Sequence, residues 1–244
     1  MADERVITGS EGLDTMLGGG FLPNSMVLVR GAPGTGKTSL ALQFLIQGAK
    51  ENEPGLFISF EEFPSSLYRD ARSLGWDLKA VEEDGGLRLM FTSPEVFLAS
   101  LGPPESPLNQ LMREANIRRL VIDSVSHFER LTDDTQELRR LYTQAVNGLR
   151  REQITAMLLG EESRSRYDQA FKGGLSFLVD AIILMRYVEI DSAIQRAILV
   201  LKMRGSGHAK EIRRYVIEPG GLRMLDVFKG REGLLSGTPH EALG

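Results

Sequence analysis

The sequence predicts an α/β protein, with a mostly parallel sheet flanked by helices and antiparallel strands added at its C-terminal end. Three observations carry this expectation. A glycine-rich loop, Gly31-Ala32-Pro33-Gly34-Thr35-Gly36-Lys37-Thr38, lies between a short apolar run and an apolar helical stretch. Beyond it, short apolar runs alternate with helical stretches to about residue 159, the rhythm of βαβ units. The last third changes character and reads as consecutive strands joined by short turns.

Each element has a local signal. Met26-Val27-Leu28-Val29 is a buried strand, and 39–46 a helix apolar nearly all round that ends near Gly48. A strand follows at 56–60, then a helix at 65–74 stopped by Gly75. Residues 87–91 read as a strand and 107–116 as a helix. Leu120-Val121-Ile122 is a short buried strand ending in Asp123. Leu138, Leu141, Tyr142, Ala145, Val146 and Leu149 follow the i, i+3, i+4, i+7 spacing of a helix, with Thr132 or Asp133 as its N-cap. A strand at 154–159 closes the alternating part. Runs at 179–190, 193–203, 212–217 and 222–225 are then expected as antiparallel additions to one edge. Residues 1–228 form one domain, and 229–244, rich in Gly and Ser, form a flexible tail.

Bulk properties narrow the function. The chain has 244 residues, 42% hydrophobic and 25% charged, enough for a sizeable core. Its net charge of −4 gives no overall basic footprint for nucleic acid. Arg113, Arg118, Arg119, Arg139, Arg140, Arg150 and Arg151 cluster in sequence and are read as solvated helix faces. There are no cysteines, which excludes a thiol catalyst, a disulfide framework and a Cys-based zinc site. The start, Met1-Ala2-Asp3-Glu4-Arg5, lacks a signal-peptide apolar core, and no run of 18 apolar residues is present. A cytoplasmic protein with no membrane span is expected.

The glycine-rich loop matches G-x-x-x-x-G-K-[ST], a P-loop that holds a nucleoside triphosphate. Its glycines let the backbone curl so that N–H groups point at the β-phosphate, and the following helix, from Ser39 on, aims its positive end the same way. Lys37 reaches the β- and γ-oxygens, and the Thr38 hydroxyl is a ligand for Mg²⁺. Asp123, at the end of an apolar strand, is the second expected Mg²⁺ ligand. The next residue is Ser124 rather than a glutamate, so the group that orients the attacking water must come from elsewhere. Glu61 and Glu62, just past the 56–60 strand, occupy the carboxyl end expected to face the γ-phosphate. Lys202, Arg204, His208 and Lys210 bring three cations and a histidine within nine positions. That cluster fits two readings equally: a charged surface hairpin, or a group that stabilises charge on a transferring phosphoryl.

Taken together, these blocks resemble a single-domain member of the KaiC-like group within the RecA-type ATPases, from about residue 8 to 237. The resemblance rests on Thr8-Gly9-Ser10-Glu11-Gly12-Leu13-Asp14, Gly18-Gly19-Gly20, the P-loop, Ser59-Phe60-Glu61-Glu62, Ser73-Leu74-Gly75-Trp76-Asp77 and Val121-Ile122-Asp123-Ser124, in order. It ends with Tyr187-Val188-Glu189-Ile190 and the run Lys202-Met203-Arg204-Gly205-Ser206-Gly207-His208-Ala209-Lys210. The first and last blocks are more specific than the P-loop, which many families share.

The resemblance implies a RecA-like core and ATP-bound rings, usually hexamers, with nucleotide between subunits. It implies Glu62 as catalytic base with Glu61 beside it, and Lys202, Arg204, His208 and Lys210 contacting the neighbour's nucleotide in trans. The clock protein of this group has two domains and autophosphorylates a Ser-Thr pair; the matching positions here are Ser176 and Phe177, so neither a full phosphorylation cycle nor timekeeping carries over. Glu161 and Glu162 stand where a polar γ-phosphate sensor is expected. The first functional reading is therefore a ring-forming, Mg²⁺-dependent ATPase with slow turnover, acting as a switch toward an unidentified protein partner. A DNA-dependent motor, with Arg164-Ser165-Arg166-Tyr167 as its only pore-loop candidate, an autokinase acting through Ser176, and a non-hydrolysing scaffold are the alternatives.

Overall fold

The computed structural model describes residues 4–162, 174–228, 231–232 and 240–241. The Arg164 to Tyr167 segment lies outside them. The elements in chain order are α1 (Glu11–Met16), β1 (Met26–Gly31), α2 (Lys37–Lys50), β2 (Gly55–Ser59), α3 (Pro64–Ser73), α4 (Leu78–Glu83), β3 (Leu87–Phe91), α5 (Pro94–Leu101) and α6 (Pro107–Glu114). There follow β4 (Arg119–Asp123), a 3-10 turn (Val125–Arg130), α7 (Thr135–Arg151), β5 (Thr155–Glu161), α8 (Leu175–Leu178), β6 (Ala181–Ile190), β7 (Ala193–Met203), β8 (Arg213–Glu218) and β9 (Gly221–Val227). Within the expected tail, Arg231–Glu232 pairs antiparallel with His240–Glu241.

Nine strands form one sheet in the order β3-β2-β4-β5-β1-β6-β7-β8-β9. From β3 to β6 neighbouring strands pair parallel; from β6 to β9 they pair antiparallel. The expected α/β architecture is thus present, with one correction. The 179–190 run is not an antiparallel addition: β6 lies parallel beside β1, Val27 opposite Ala181 and Gly31 opposite Met185. Its opening Ala181-Ile182-Ile183-Leu184-Met185 is buried throughout, as a strand covered on both faces requires.

Strand alternation divides the core. Val27, Val29, Phe57, Val121, Met157, Leu159, Ile183 and Met185 pack on the α1–α2–α3 side. Met26, Leu28, Leu56, Ile58, Leu120, Ile122, Leu158 and Leu184 pack on the side of α5, α6 and α7. Helix starts are chemically marked. Ser93 and Ser106 accept from Val96 N and Asn109 N, each with proline as the first helical residue. The cap of α7 is Asp134, whose carboxylate accepts from Gln136 N at 2.8 Å, rather than Thr132 or Asp133; Thr132 instead turns its hydroxyl to Asp134 N at 3.1 Å.

The reading of the clustered arginines as solvated helix faces fails at Arg119. This residue opens β4 and is completely buried. Its guanidinium donates to Glu53 Oε2 at 2.6 Å, Glu51 Oε2 at 2.7 Å, Ile7 O at 2.7 Å and Phe44 O at 2.9 Å, and its carbon lies 4.8 Å from the Phe44 ring centre. It ties the end of α2 and the N-terminal segment to the sheet. Arg119→Leu is expected to cost about 3 kcal/mol, because two carbonyls and two carboxylates lose their donor. Urea unfolding checks this, and a midpoint equal to wild type would remove Arg119 from the framework.

Candidate functional site

The carboxyl ends of β1, β4, β5 and β2 meet along one edge of the sheet, which brings the sequence-distant site residues together. Ser59 is opposite Asp123, Asp123 opposite Leu159, and Gly31 opposite Glu161. The 31–38 loop leaves β1 at this edge and runs into α2. Gly34 and Gly36 adopt φ of 79° and 95°, which side chains with a Cβ resist. A Cβ on Gly34 would meet the Tyr187 hydroxyl at 2.7 Å, and one on Gly36 would run into Ile217 Cδ1. Thr35 is buried and donates its hydroxyl to Ala32 O at 2.8 Å, closing the loop on itself.

Lys37 lies inside the curl, donating to Gly31 O at 2.8 Å and Ala32 O at 3.2 Å. Burial lowers the pKa of its ammonium, while Asp123, Glu161 and Glu162 act in the opposite direction. One residue on, the Thr38 hydroxyl donates to Asp123 Oδ2 at 3.0 Å, so the two expected metal ligands are in contact. Burial raises the Asp123 pKa above the ordinary aspartate value, opposed by the Thr38 bond and Lys37 and reinforced by Glu62 and Glu61. A hydroxyl and a carboxylate fit a hard divalent cation that takes its remaining ligands from water and phosphate. No larger His, Cys, Asp or Glu metal cluster occurs among the described residues.

Glu61 and Glu62 follow β2 at the same edge. The buried Ser59 hydroxyl accepts from Glu62 N at 2.9 Å and from Glu61 N at 3.4 Å, and Phe60 N donates to Asp123 O at 2.9 Å. This turn fixes both acids beside Asp123 with exposed side chains. Glu61 Oε2 stands 3.3 Å from His127 Nε2. Glu162 pairs with Arg186, and Arg30 donates to the Glu161 carbonyl at 2.8 Å.

Lys202 and Arg204, which open the basic cluster, are not at this edge. Arg204 N donates to Asp180 O, and Asp180 N to Met26 O, so Arg204 is level with the start of β1. From Gly31 back to Met26 the strand covers about 16 Å at roughly 3.3 Å per residue. Lys202 Nζ donates to Ser176 O at 2.8 Å and Val179 O at 2.7 Å, and Arg204 Nη2 to Phe177 O at 2.7 Å. Lys210 Nζ is 2.9 Å from His208 Nε2, and burial, then the Lys210 charge, lowers the histidine pKa. Lys202 and Arg204 thus sit at the amino edge, away from their own chain's loop.

Several contributors carried no local signal. Tyr215 donates its hydroxyl to Thr35 O at 2.5 Å, and Ile217 covers Gly36, so β8 folds over the loop from the far end of the chain. Arg196 reaches Gly34 O at 3.4 Å and lies over the Tyr187 ring. Tyr187 falls in a block of the resemblance; His127, Arg196 and Tyr215 are brought in by tertiary structure alone.

Comparison with known proteins agrees with this architecture. A family model described as "ATPase: KaiC" matches residues 6–227. The chain is 37% identical over 237 residues to a circadian clock oscillator protein KaiC of Parathermosynechococcus lividus, covering 96% of this chain and 43% of that protein. It is 34% identical over 245 residues to the circadian clock protein KaiC3 of Synechocystis sp. (strain ATCC 27184 / PCC 6803 / Kazusa), covering 98% and 47%. The chain spans about half the length of the curated relatives it matches.

Proposed function

We propose, from the premise that this chain belongs to the KaiC family of ATPases as a single KaiC-like domain, that it binds ATP with Mg²⁺ and hydrolyses it slowly in a homo-oligomeric ring of RecA-like subunits. The observation that carries this is the contact of Thr38 with Asp123 beside the loop that encloses Lys37. Residues 31–39 hold the phosphates, through backbone N–H groups and the Lys37 ammonium. Thr38 and Asp123 would hold the Mg²⁺, which would supply positive charge against the phosphate oxygens. Glu62 accepts the proton of the attacking water as its oxygen bonds to the γ-phosphorus and the bond to the β-γ bridging oxygen breaks, leaving ADP and phosphate. Glu61, held near His127, supports the same turn.

Lys202, Arg204, His208 and Lys210 belong to the neighbouring subunit's site in this proposal, because Lys202 and Arg204 lie at the opposite edge from their own loop and His208 and Lys210 follow them in the same run. Hydrolysis then depends on assembly, and a hexamer is the ring we expect. The slow cycle suits a regulatory switch in which nucleotide state sets affinity for a protein partner, in the cytoplasm. Among the described residues no helix is long and apolar enough to cross a membrane.

ATP turnover measured with and without single-stranded DNA, on protein whose mass is determined in the same buffer, tests the proposal. Slow turnover by a ring, indifferent to DNA, is expected. Strong stimulation by DNA would put a motor in its place, and no turnover by an assembled ring would leave a binding scaffold.

A further inference from the structure

Two exposed aromatic features stand at opposite edges of the sheet, in surroundings of opposite charge. At the carboxyl edge Phe63 and Phe91 stack on one another, ring centres 4.3 Å apart and planes 30° apart, and remain 60% and 43% exposed. The exposed Glu61 and Glu62 directly precede Phe63. At the amino edge Phe177 is 70% exposed on α8. Arg204 donates to the Phe177 carbonyl and Lys202 to that of Ser176, and the Arg204 side chain is half-exposed. Exposed aromatics of this kind mark contact surfaces more than isolated aliphatic residues do.

We infer that Phe177 of one copy packs on the Phe63–Phe91 pair of the next copy of this chain. The inference rests on the ring reading and deepens it by naming the apolar contact between subunits. The two surfaces differ and lie at opposite edges, so the contact is heterologous and repeats around a ring. Charge complementarity selects a second copy as the occupant, because the contact brings the Arg204 edge to the Glu61–Glu62 edge. The carbonyl bonds from Lys202 and Arg204 hold the backbone under Phe177 in place, so little ordering remains to be lost on docking.

The test uses the full chain with ATP and Mg²⁺, its mass followed by sedimentation velocity, and Phe177→Asp and Phe63→Asp as separate variants. Nucleotide binding by each variant reports that it is folded. Wild type is expected to form rings and each variant to stay monomeric at concentrations at least about tenfold higher. An equimolar mixture is expected to give heterodimers and nothing larger, because each pair then has one intact contact and one with two aspartates facing. Wild-type assembly by both variants, or no heterodimer in the mixture, overturns the contact while the wild-type ring stands. Dimers of Phe177→Asp alone would mean that the Phe63–Phe91 pair meets itself, which also overturns it. A wild type that stays monomeric removes the ring reading and this contact together.

Discussion

Lys37→Ala is expected to abolish ATP binding, with affinity falling more than about 100-fold, or roughly 3 kcal/mol. The size follows from where the ammonium is. It is largely withdrawn from water inside the 31–38 loop, and its two partners are the loop's own carbonyls, Gly31 O and Ala32 O. In the proposed complex it meets the phosphates at short range in a medium of low polarity, where charge-assisted bonds are strong. Alanine leaves those carbonyls turned toward phosphate oxygens of like charge. The fold does not depend on this side chain, since Thr35 and Tyr215 hold the loop through Ala32 O and Thr35 O. Titration with a fluorescent nucleotide, alongside thermal unfolding, checks both halves. Unchanged affinity in a folded variant would remove Lys37 from the phosphate site.

What the sequence made legible follows from which interactions are local. The phosphate loop, the buried strand before it, the apolar helix after it and Asp123 at a strand end are each encoded in consecutive residues, and the loop and Asp123 are found together at one sheet edge. The parallel setting of β6 was also encoded, in five consecutive apolar residues from Ala181, yet the short turns of the strands after it suggested a meander. The cap of α7 was ambiguous because Thr132, Asp133 and Asp134 are three adjacent capping residues, and periodicity does not choose among neighbours. Helix α5 lies between the expected 87–91 strand and 107–116 helix, and its local signal is the Ser93-Pro94 start. Arg119 had no signal at all, since its partners Glu51 and Glu53 lie far away in sequence and join it only when α2 packs on β4. The same holds for Tyr215 and Ile217 over the loop. Such contacts belong to the assembled fold, and no window of sequence contains both ends.

Glu62→Gln is expected to keep ATP affinity and lose turnover by about 10²- to 10⁴-fold, the range for loss of a general base. The amide preserves the turn, because Ser59 accepts from the Glu62 backbone N–H and not from its carboxylate. Near-normal turnover would sink the assignment of the base. Arg204→Ala is expected to impair turnover by a different route, since Arg204 is level with the amino end of β1 and does not reach its own loop. Each variant alone then leaves every site in a ring incomplete, lacking either the base or the neighbour's cation. A mixture differs. Wherever an Arg204→Ala subunit presents its intact Glu62 to the intact Arg204 of a Glu62→Gln subunit, the site is complete. Random mixing at equal amounts makes about a quarter of the interfaces of this kind, so recovery toward a quarter of wild-type turnover is expected. Only an arrangement in which Arg204 acts on the neighbouring subunit's site gives that result. Were Arg204 to act within its own chain, every site would still carry one defect or the other, and the mixed rings would be no faster than the average of the two variants.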